Sequence, residues 1–206
     1  MTAQNLGTLF IFSAPSGAGK TSLVTALIEQ TEQLMVSVSH TTRAMREGEV
    51  DGTHYHFIDV PAYRQMVEEK AFVEHAQVFD NFYGTSQAAI ESKLVEGLDV
   101  ILEIDWQGAR QVRERMRSTS VFILPPSKPA LRERLQGRGT DNEEIIDRRM
   151  RDAISEMQHY DEYDYIVVND DFDTALEEIK AIVTSSRLHE SRQKAQLSAL
   201  LAQLLA

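Results

Sequence analysis

The chain of 206 residues is long enough to bury roughly 70% of its unfolded surface, which fits one domain with room for sub-lobes. It has no cysteine, which excludes disulfides, thiol nucleophiles and cysteine-held zinc. Its formal net charge of −11 argues against sequence-independent binding of nucleic acid, so an anionic ligand must be met by a local cluster of Arg and Lys.

Residues 8–13 are apolar and carry large side chains, which predicts a buried strand. The run Leu9-Phe10-Ile11-Phe12 is far short of a ~20-residue membrane span and follows no basic stretch. No membrane partner is expected, and a cytoplasmic protein is the default. A small-residue loop over 14–19 leads into a helix over 20–30, with its apolar stripe at Leu23, Leu27 and Ile28. Residues 35–39 and 55–58 alternate as strands on either side of a polar loop over 43–52. Pro61 suits the first turn of a helix through Met66 and Val67. A strand is predicted over 72–79 with a turn at Asp80-Asn81, then a helix over 86–95 that stops at Gly97. A strand over 99–103 and a charged, exposed helix over 107–116 follow. Residues 121–124 form a buried strand ended by Pro125-Pro126. Helices over 128–136 and 142–159 flank Gly137-Arg138-Gly139, a last strand spans 165–168, and the chain is helical from Thr174 onward. Strands alternating with helices predict an α/β fold, a parallel sheet with helices on both faces. Residues 35–87 break that pattern and predict a small α+β lobe.

The strongest local signal is Ala14-Pro15-Ser16-Gly17-Ala18-Gly19-Lys20-Thr21, placed between a strand and a helix as a phosphate-binding loop requires. Ala14 stands where the strict pattern has Gly. Backbone N–H groups of such a loop converge on nucleotide phosphates, helped by the positive end of the helix. Lys20 adds a point charge to the same oxygens, and the Thr21 hydroxyl is placed to ligate Mg²⁺. No Asn-Lys-x-Asp element is present, which disfavours a GTPase. Neither His-Arg-Asp nor Asp-Phe-Gly occurs, which disfavours a protein kinase. An ATP-using enzyme with a separate acceptor site remains.

The loop over 41–58 places Arg43 and Arg46 with two residues between them beside glycines, which suits one phosphate group, and Tyr55 can add a hydroxyl donor. Without context, a solvated charged loop is the better explanation. Together with the phosphate loop, Asn81-Phe82-Tyr83-Gly84-Thr85 and Ile104-Asp105-Trp106-Gln107-Gly108, this stretch resembles the guanylate kinases. The resemblance covers about residues 7–187. It implies a core over 7–34, 88–126 and 160–187, a GMP-binding lobe over 35–87, a helical lid over 127–159 and a tail over 188–206. The implied reaction is Mg²⁺-dependent phosphoryl transfer from ATP to GMP, and to dGMP.

The resemblance also implies roles by position. The ATP site comprises residues 14–21 and Asn169. Arg43, Arg46, Tyr55 and Tyr83 are implied donors to the GMP phosphate. Ser39, Glu74, Thr85 and Asp105 are implied guanine readers, and Glu49 joins the GMP site. Lys20, Arg43, Arg138 and Arg149 are the implied catalytic set, the last two as lid arginines. Nearby, Arg134, Arg148 and Arg151 are expected to be surface charges. Two positions depart from the family's usual pattern. Met45 replaces Pro, and Glu103 replaces the Asp expected near Mg²⁺ at the end of a core strand.

Beyond the signature, Leu197, Leu200, Leu201, Leu204 and Leu205 recur at helical spacing and form one apolar stripe, with Arg192 on another face. Packing on the chain's own core, docking on another subunit and fraying are the alternatives. Self-association through this helix is the favoured expectation.

Overall fold

The computed structural model describes residues 6–78, 80–137 and 142–206. In chain order the elements are β1 (Leu9–Ser13), α1 (Lys20–Glu29), β2 (Leu34–Val36), β3 (His40–Thr41), β4 (His56–Phe57), α2 (Val60–Glu68), β5 (Phe72–Val78), β6 (Asn81–Ser86) and α3 (Gln87–Val95). Then follow β7 (Asp99–Glu103), α4 (Trp106–Arg115), β8 (Thr119–Leu124), α5 (Lys128–Gln136), α6 (Glu143–Met157), a 3₁₀ turn (Tyr160–Glu162), β9 (Tyr165–Val168), α7 (Phe172–Arg187), α8 (Glu190–Gln196) and α9 (Ser198–Leu204).

Five strands form a parallel sheet in the order β2-β7-β1-β8-β9. All five residues of β1 are buried because helices cover both faces of the sheet. Alternation along β1 sends Phe10 and Phe12 to one side, where they meet Leu23 and Leu27 of α1 and Ile179 and Val183 of α7. Leu9 and Ile11 face the other side, against Ile90 of α3 and Val112 of α4. Because the strands are parallel, their C-terminal ends share one edge. The phosphate loop, Glu103 and Asn169 follow there from β1, β7 and β9, the usual ligand edge of an open α/β sheet.

A second, four-stranded sheet has the order β4-β3-β6-β5 and forms the smaller lobe. The strand predicted over 35–39 begins at Leu34, ends at Val36 and pairs with β7, so Met35 and Val36 belong to the larger sheet. The smaller sheet begins at His40. Asp59 caps α2 through the Ala62 N–H, and Pro61 sits in its first turn, where a missing N–H costs nothing.

Two expectations are corrected. The helix expected to be charged and exposed, α4, buries Gly108, Ala109 and Val112. Its inner face consists of small residues, which a search for large apolar side chains overlooks. The C-terminal segment is three helices rather than one, because the chain turns after Arg187 and again at Leu197. Arg192 turns inward: its side chain is 8% exposed and its Nη1 donates to the fully buried Asp99 carboxylate at 2.6 Å. Arg187 Nε binds the other oxygen of that carboxylate at 2.7 Å. The tail is thus fastened at α8, while α9 leaves Leu204 70% and Leu205 83% exposed. Among the described residues, Leu197, Leu200, Leu204 and Leu205 of the stripe are exposed, Leu201 is half-buried, and none joins a core cluster.

Candidate active site

The phosphate loop is shaped from both ends. Gly17 and Gly19 adopt φ of +93° and +92°, a region that side chains other than glycine's rarely enter. Asn169 Nδ2 donates to the Ala18 carbonyl at 2.7 Å, and a Cβ on Gly19 would collide with the same amide. Arg134, expected to be a surface charge, instead donates from Nη2 to the Asn169 carbonyl at 2.9 Å. The loop therefore hangs on β9 and α5 as well as on β1.

Lys20 opens α1 and is half-buried, and desolvation pulls its pKa below the ordinary lysine value. Glu103, Glu156 and Asp105 oppose that shift with their charge. Thr21 Oγ1 donates to Glu103 Oε2 at 3.1 Å, so the two candidate Mg²⁺ ligands already touch. Glu156 was not foreseen from sequence. It comes from the last turn of α6, accepts the Ser16 backbone N–H and faces Lys20, and burial raises its carboxyl above the usual range. On a helix as polar as α6, nothing in the spacing singles it out.

On the acceptor side Arg43 holds Glu49 with both guanidinium nitrogens, at 3.0 and 2.7 Å. The Arg46 backbone N–H donates to the same carboxylate at 2.8 Å. The Arg43 bonds come first among the causes that hold Glu49 at a pKa of about 2. Arg43 lies 5.5 Å from the centre of the Tyr55 ring, and Tyr55 meets Tyr83 edge-on at 6.0 Å. Arg43, Tyr55 and Tyr83 therefore form one cluster, with Glu49 orienting the guanidinium.

The four expected guanine readers come from separate elements. Ser39 Oγ and Thr85 Oγ1 lie 3.0 Å apart, and Thr85 donates to Glu74 Oε1 through a short hydrogen bond. Glu74 is buried, and desolvation raises its pKa; the Thr85 bond pulls it down and the Asp105 charge pushes it up. Asp105 caps α4 by accepting the Gly108 N–H at 2.9 Å. A Cβ on Gly108 would stand 3.3 Å from Glu74 Oε2, so this glycine permits the close approach of Glu74 to α4.

A cleft of about 350 Å³ joins the two halves. Lys20, Thr21 and Glu103 line one side, and Ser39, Tyr55 and Thr85 the other. Two larger hollows lie along α7 and beside Arg192, away from the phosphate loop. Arg149 is half-buried on α6 and does not line the cleft, and Met45 is exposed on its loop. Arg138 lies outside the described residues.

The family model described as guanylate kinase matches residues 7–186. The chain is 58% identical to the guanylate kinase of Chromohalobacter salexigens over 97% of its own length and 93% of that relative's. It is 59% identical to that of Saccharophagus degradans, over 97% and 98%. Among solved structures, the crystal structure of guanylate kinase from Anaplasma phagocytophilum superposes with a TM-score of 0.72 at 33% identity, covering 91% of this chain and 89% of that one. The match runs through both halves of the cleft and the helices that frame it, and the chain belongs to the guanylate kinase family.

Proposed function

We propose that the 350 Å³ cleft carries out the ATP-dependent phosphorylation of GMP to GDP, with the phosphate loop as donor site and the small lobe as acceptor site. The observation that supports this reading is the lining of that cleft, which puts Lys20 and Thr21 opposite Ser39, Tyr55 and Thr85. No side chain need act as a nucleophile, since an oxygen of the GMP phosphate attacks the γ-phosphorus of ATP in line. Lys20 and the loop N–H groups of residues 14–20 hold the donor phosphates. Arg43, Arg46, Tyr55 and Tyr83 hold the acceptor phosphate, with Glu49 fixing Arg43. Catalysis is then positioning and charge neutralisation. The arginines of the lid, Arg138 and Arg149, complete the neutralisation when residues 127–159 close over the site. Closure also excludes water, which would otherwise accept the phosphoryl group.

Guanine presents donors at N1 and the 2-amino group and acceptors at O6 and N7. Glu74 and Asp105 suit the donors, and the Ser39 and Thr85 hydroxyls suit the acceptors. Adenine lacks the N1 proton and the 2-amino group and would leave a buried carboxylate unpaired, at a cost of about 1–3 kcal/mol. The base and phosphate groups assigned to these residues are the same in dGMP, so dGMP is expected to serve as well as GMP.

Thr21 and Glu103 are hard oxygen donors in contact at the phosphate end of the cleft, which fits Mg²⁺. Glu103 carries one methylene more than the usual Asp, and its bond to Thr21 keeps the longer arm at the loop. Bound there, the metal would offset charge on the phosphate oxygens. Asn169 acts through the shape of the loop.

A second feature concerns assembly. The uncovered leucines of α9 suit contact with a second copy of the chain, and α9 carries no charged residue to repel a partner of net charge −11. Among the described residues no helix is long and apolar enough to cross a membrane, and a cytoplasmic location fits a nucleotide-metabolising enzyme.

A coupled assay of ADP release with GMP, dGMP, AMP and UMP in parallel tests the assignment. Turnover with GMP and dGMP well above AMP and UMP is expected. Equal turnover with AMP would overturn the guanine site.

A further inference from the structure

We propose that Gln111, supported by Arg115, is a positioning residue for purine choice: it straps the strand that carries Glu74 to the helix that carries Asp105. The inference rests on the assignment of those two carboxylates as guanine partners.

The strand β5 is an edge of the smaller sheet, paired only with β6. An edge strand turns alternate backbone N–H and C=O groups away from its neighbour, and those groups need partners when half-buried. At His75 both groups are met by one side chain. Gln111 Oε1 accepts the His75 N–H at 3.0 Å, and Gln111 Nε2 donates to the His75 carbonyl at 3.1 Å. The primary amide thus replaces a missing strand partner. On the other side of Glu74, Arg115 Nη1 donates to the Phe72 carbonyl at 2.5 Å. Glu74 is therefore bracketed by two anchors, both from α4, and α4 begins with Asp105 as its cap.

The geometry matters because the two carboxylates belong to different bodies. Glu74 sits on the smaller sheet, while Asp105 leads out of the larger one. Thr85 and Ser39 steady the Glu74 side chain from within the small lobe, but they move with that lobe. Val73 packs in the same apolar cluster as Ala109 and Val112, which presses β5 against α4 without setting its register. Apolar packing is non-directional, whereas the paired hydrogen bonds of Gln111 fix both the distance and the slide of β5 along α4. Gln111 thereby sets the spacing at which guanine N1–H and its 2-amino group meet two carboxylates at once.

The test uses Gln111→Met, which keeps the length of the side chain and removes both hydrogen bonds, and Gln111→Glu. In Gln111→Met the KM for GMP should rise roughly 10-fold, the loss of two ordinary hydrogen bonds, and the preference for GMP over AMP should fall by a similar factor. The kcat at saturating GMP and the KM for ATP should stay within about twofold of the parent. Gln111→Glu can accept the His75 N–H but donates to the carbonyl only when protonated. Its KM defect, measured against the parent at each pH, should therefore shrink as the pH falls, a recovery that a purely structural role would not produce. That recovery also decides the matter if Gln111→Met fails to fold.

An unchanged GMP-to-AMP ratio in Gln111→Met, or a joint rise of both KM values with a fall in kcat, would overturn the proposal. Glu74→Gln is measured alongside. If it shifts the ratio and Gln111→Met does not, the strap alone is wrong. If neither shifts it, the guanine assignment falls and the strap with it.

Discussion

The proposed donor and acceptor sites are built in opposite ways. The donor half is eight consecutive residues, 14–21, folded by two glycines at positive φ and held by Asn169. The proposed acceptor site draws Ser39, Glu74, Thr85 and Asp105 from positions separated by as many as 66 residues, with hydrogen bonds between elements joining Ser39, Thr85 and Glu74. A contiguous site carries its geometry in local backbone conformation. A distributed site depends on how two lobes are fastened, so its weak points lie partly outside it.

The largest expected effect tests the contiguous half. Lys20→Ala removes the charge at the donor phosphates, and a contact of this kind is worth about 10²–10³-fold in rate. The melting temperature should hardly fall, because burial already disfavours the charged Lys20. A coupled ADP assay and a thermal scan measure both. Near-parental turnover would remove the phosphate loop from the mechanism.

The next effect tests the distributed half. Glu74→Gln should weaken use of GMP by about 5–150-fold, the equivalent of 1–3 kcal/mol, with a relative gain for AMP. Its stability carries a second signature. Burial raises the folded-state pKa of Glu74 above its unfolded value, so the native state binds this proton better than the unfolded state does. The contribution of Glu74 to stability is therefore fullest below its unfolded pKa and is lost as pH rises through the raised one. Denaturant titrations without nucleotide should show Glu74→Gln gaining on the parent as pH increases. A pH-independent difference would mean that this carboxyl is not perturbed by burial.

The smallest effect serves as a control at the far end of the sheet, where neither half of the cleft reaches. Removing residues 197–206 leaves the Arg192–Asp99 pair whole, so GMP turnover and melting temperature should hold. If α9 joins two copies, sedimentation should show this shortened chain as a monomer and the full chain as a larger species. Removing residues 191–206 also strips Arg192 from the buried Asp99 carboxylate, which keeps Arg187 and the Thr8 N–H as partners among the described residues. A loss of about 1–3 kcal/mol is expected, near 2–4 °C of melting temperature for each kcal/mol. Equal melting of the two truncations would show that the buried pair contributes little. A monomeric full chain at tens of micromolar would reject assembly through α9.

Much of the fold was legible because its signals are local. The apolar run of β1, the glycines of the loop, Pro61 in the first turn of α2 and the strand over 99–103 each act within a few residues. The phosphate loop was legible for the same reason, since its geometry is its own backbone. Glu74 was different: as one acidic residue in a strand it has no distinguishing spacing, and only the family pattern of the surrounding loops pointed to it.

Periodicity by itself determined the parallel α/β core and set a smaller lobe apart, and a local motif marked the phosphate loop. The tertiary structure alone decided that α4 has a buried face of small residues, that Glu156 turns to the loop N–H of Ser16, and that Arg192 points in while the leucines after it point out. Chain periodicity records how a segment is wetted on average. Desolvation and pairing depend on which groups other segments bring within a few ångströms, and that is settled only when the sheet and its helices close together.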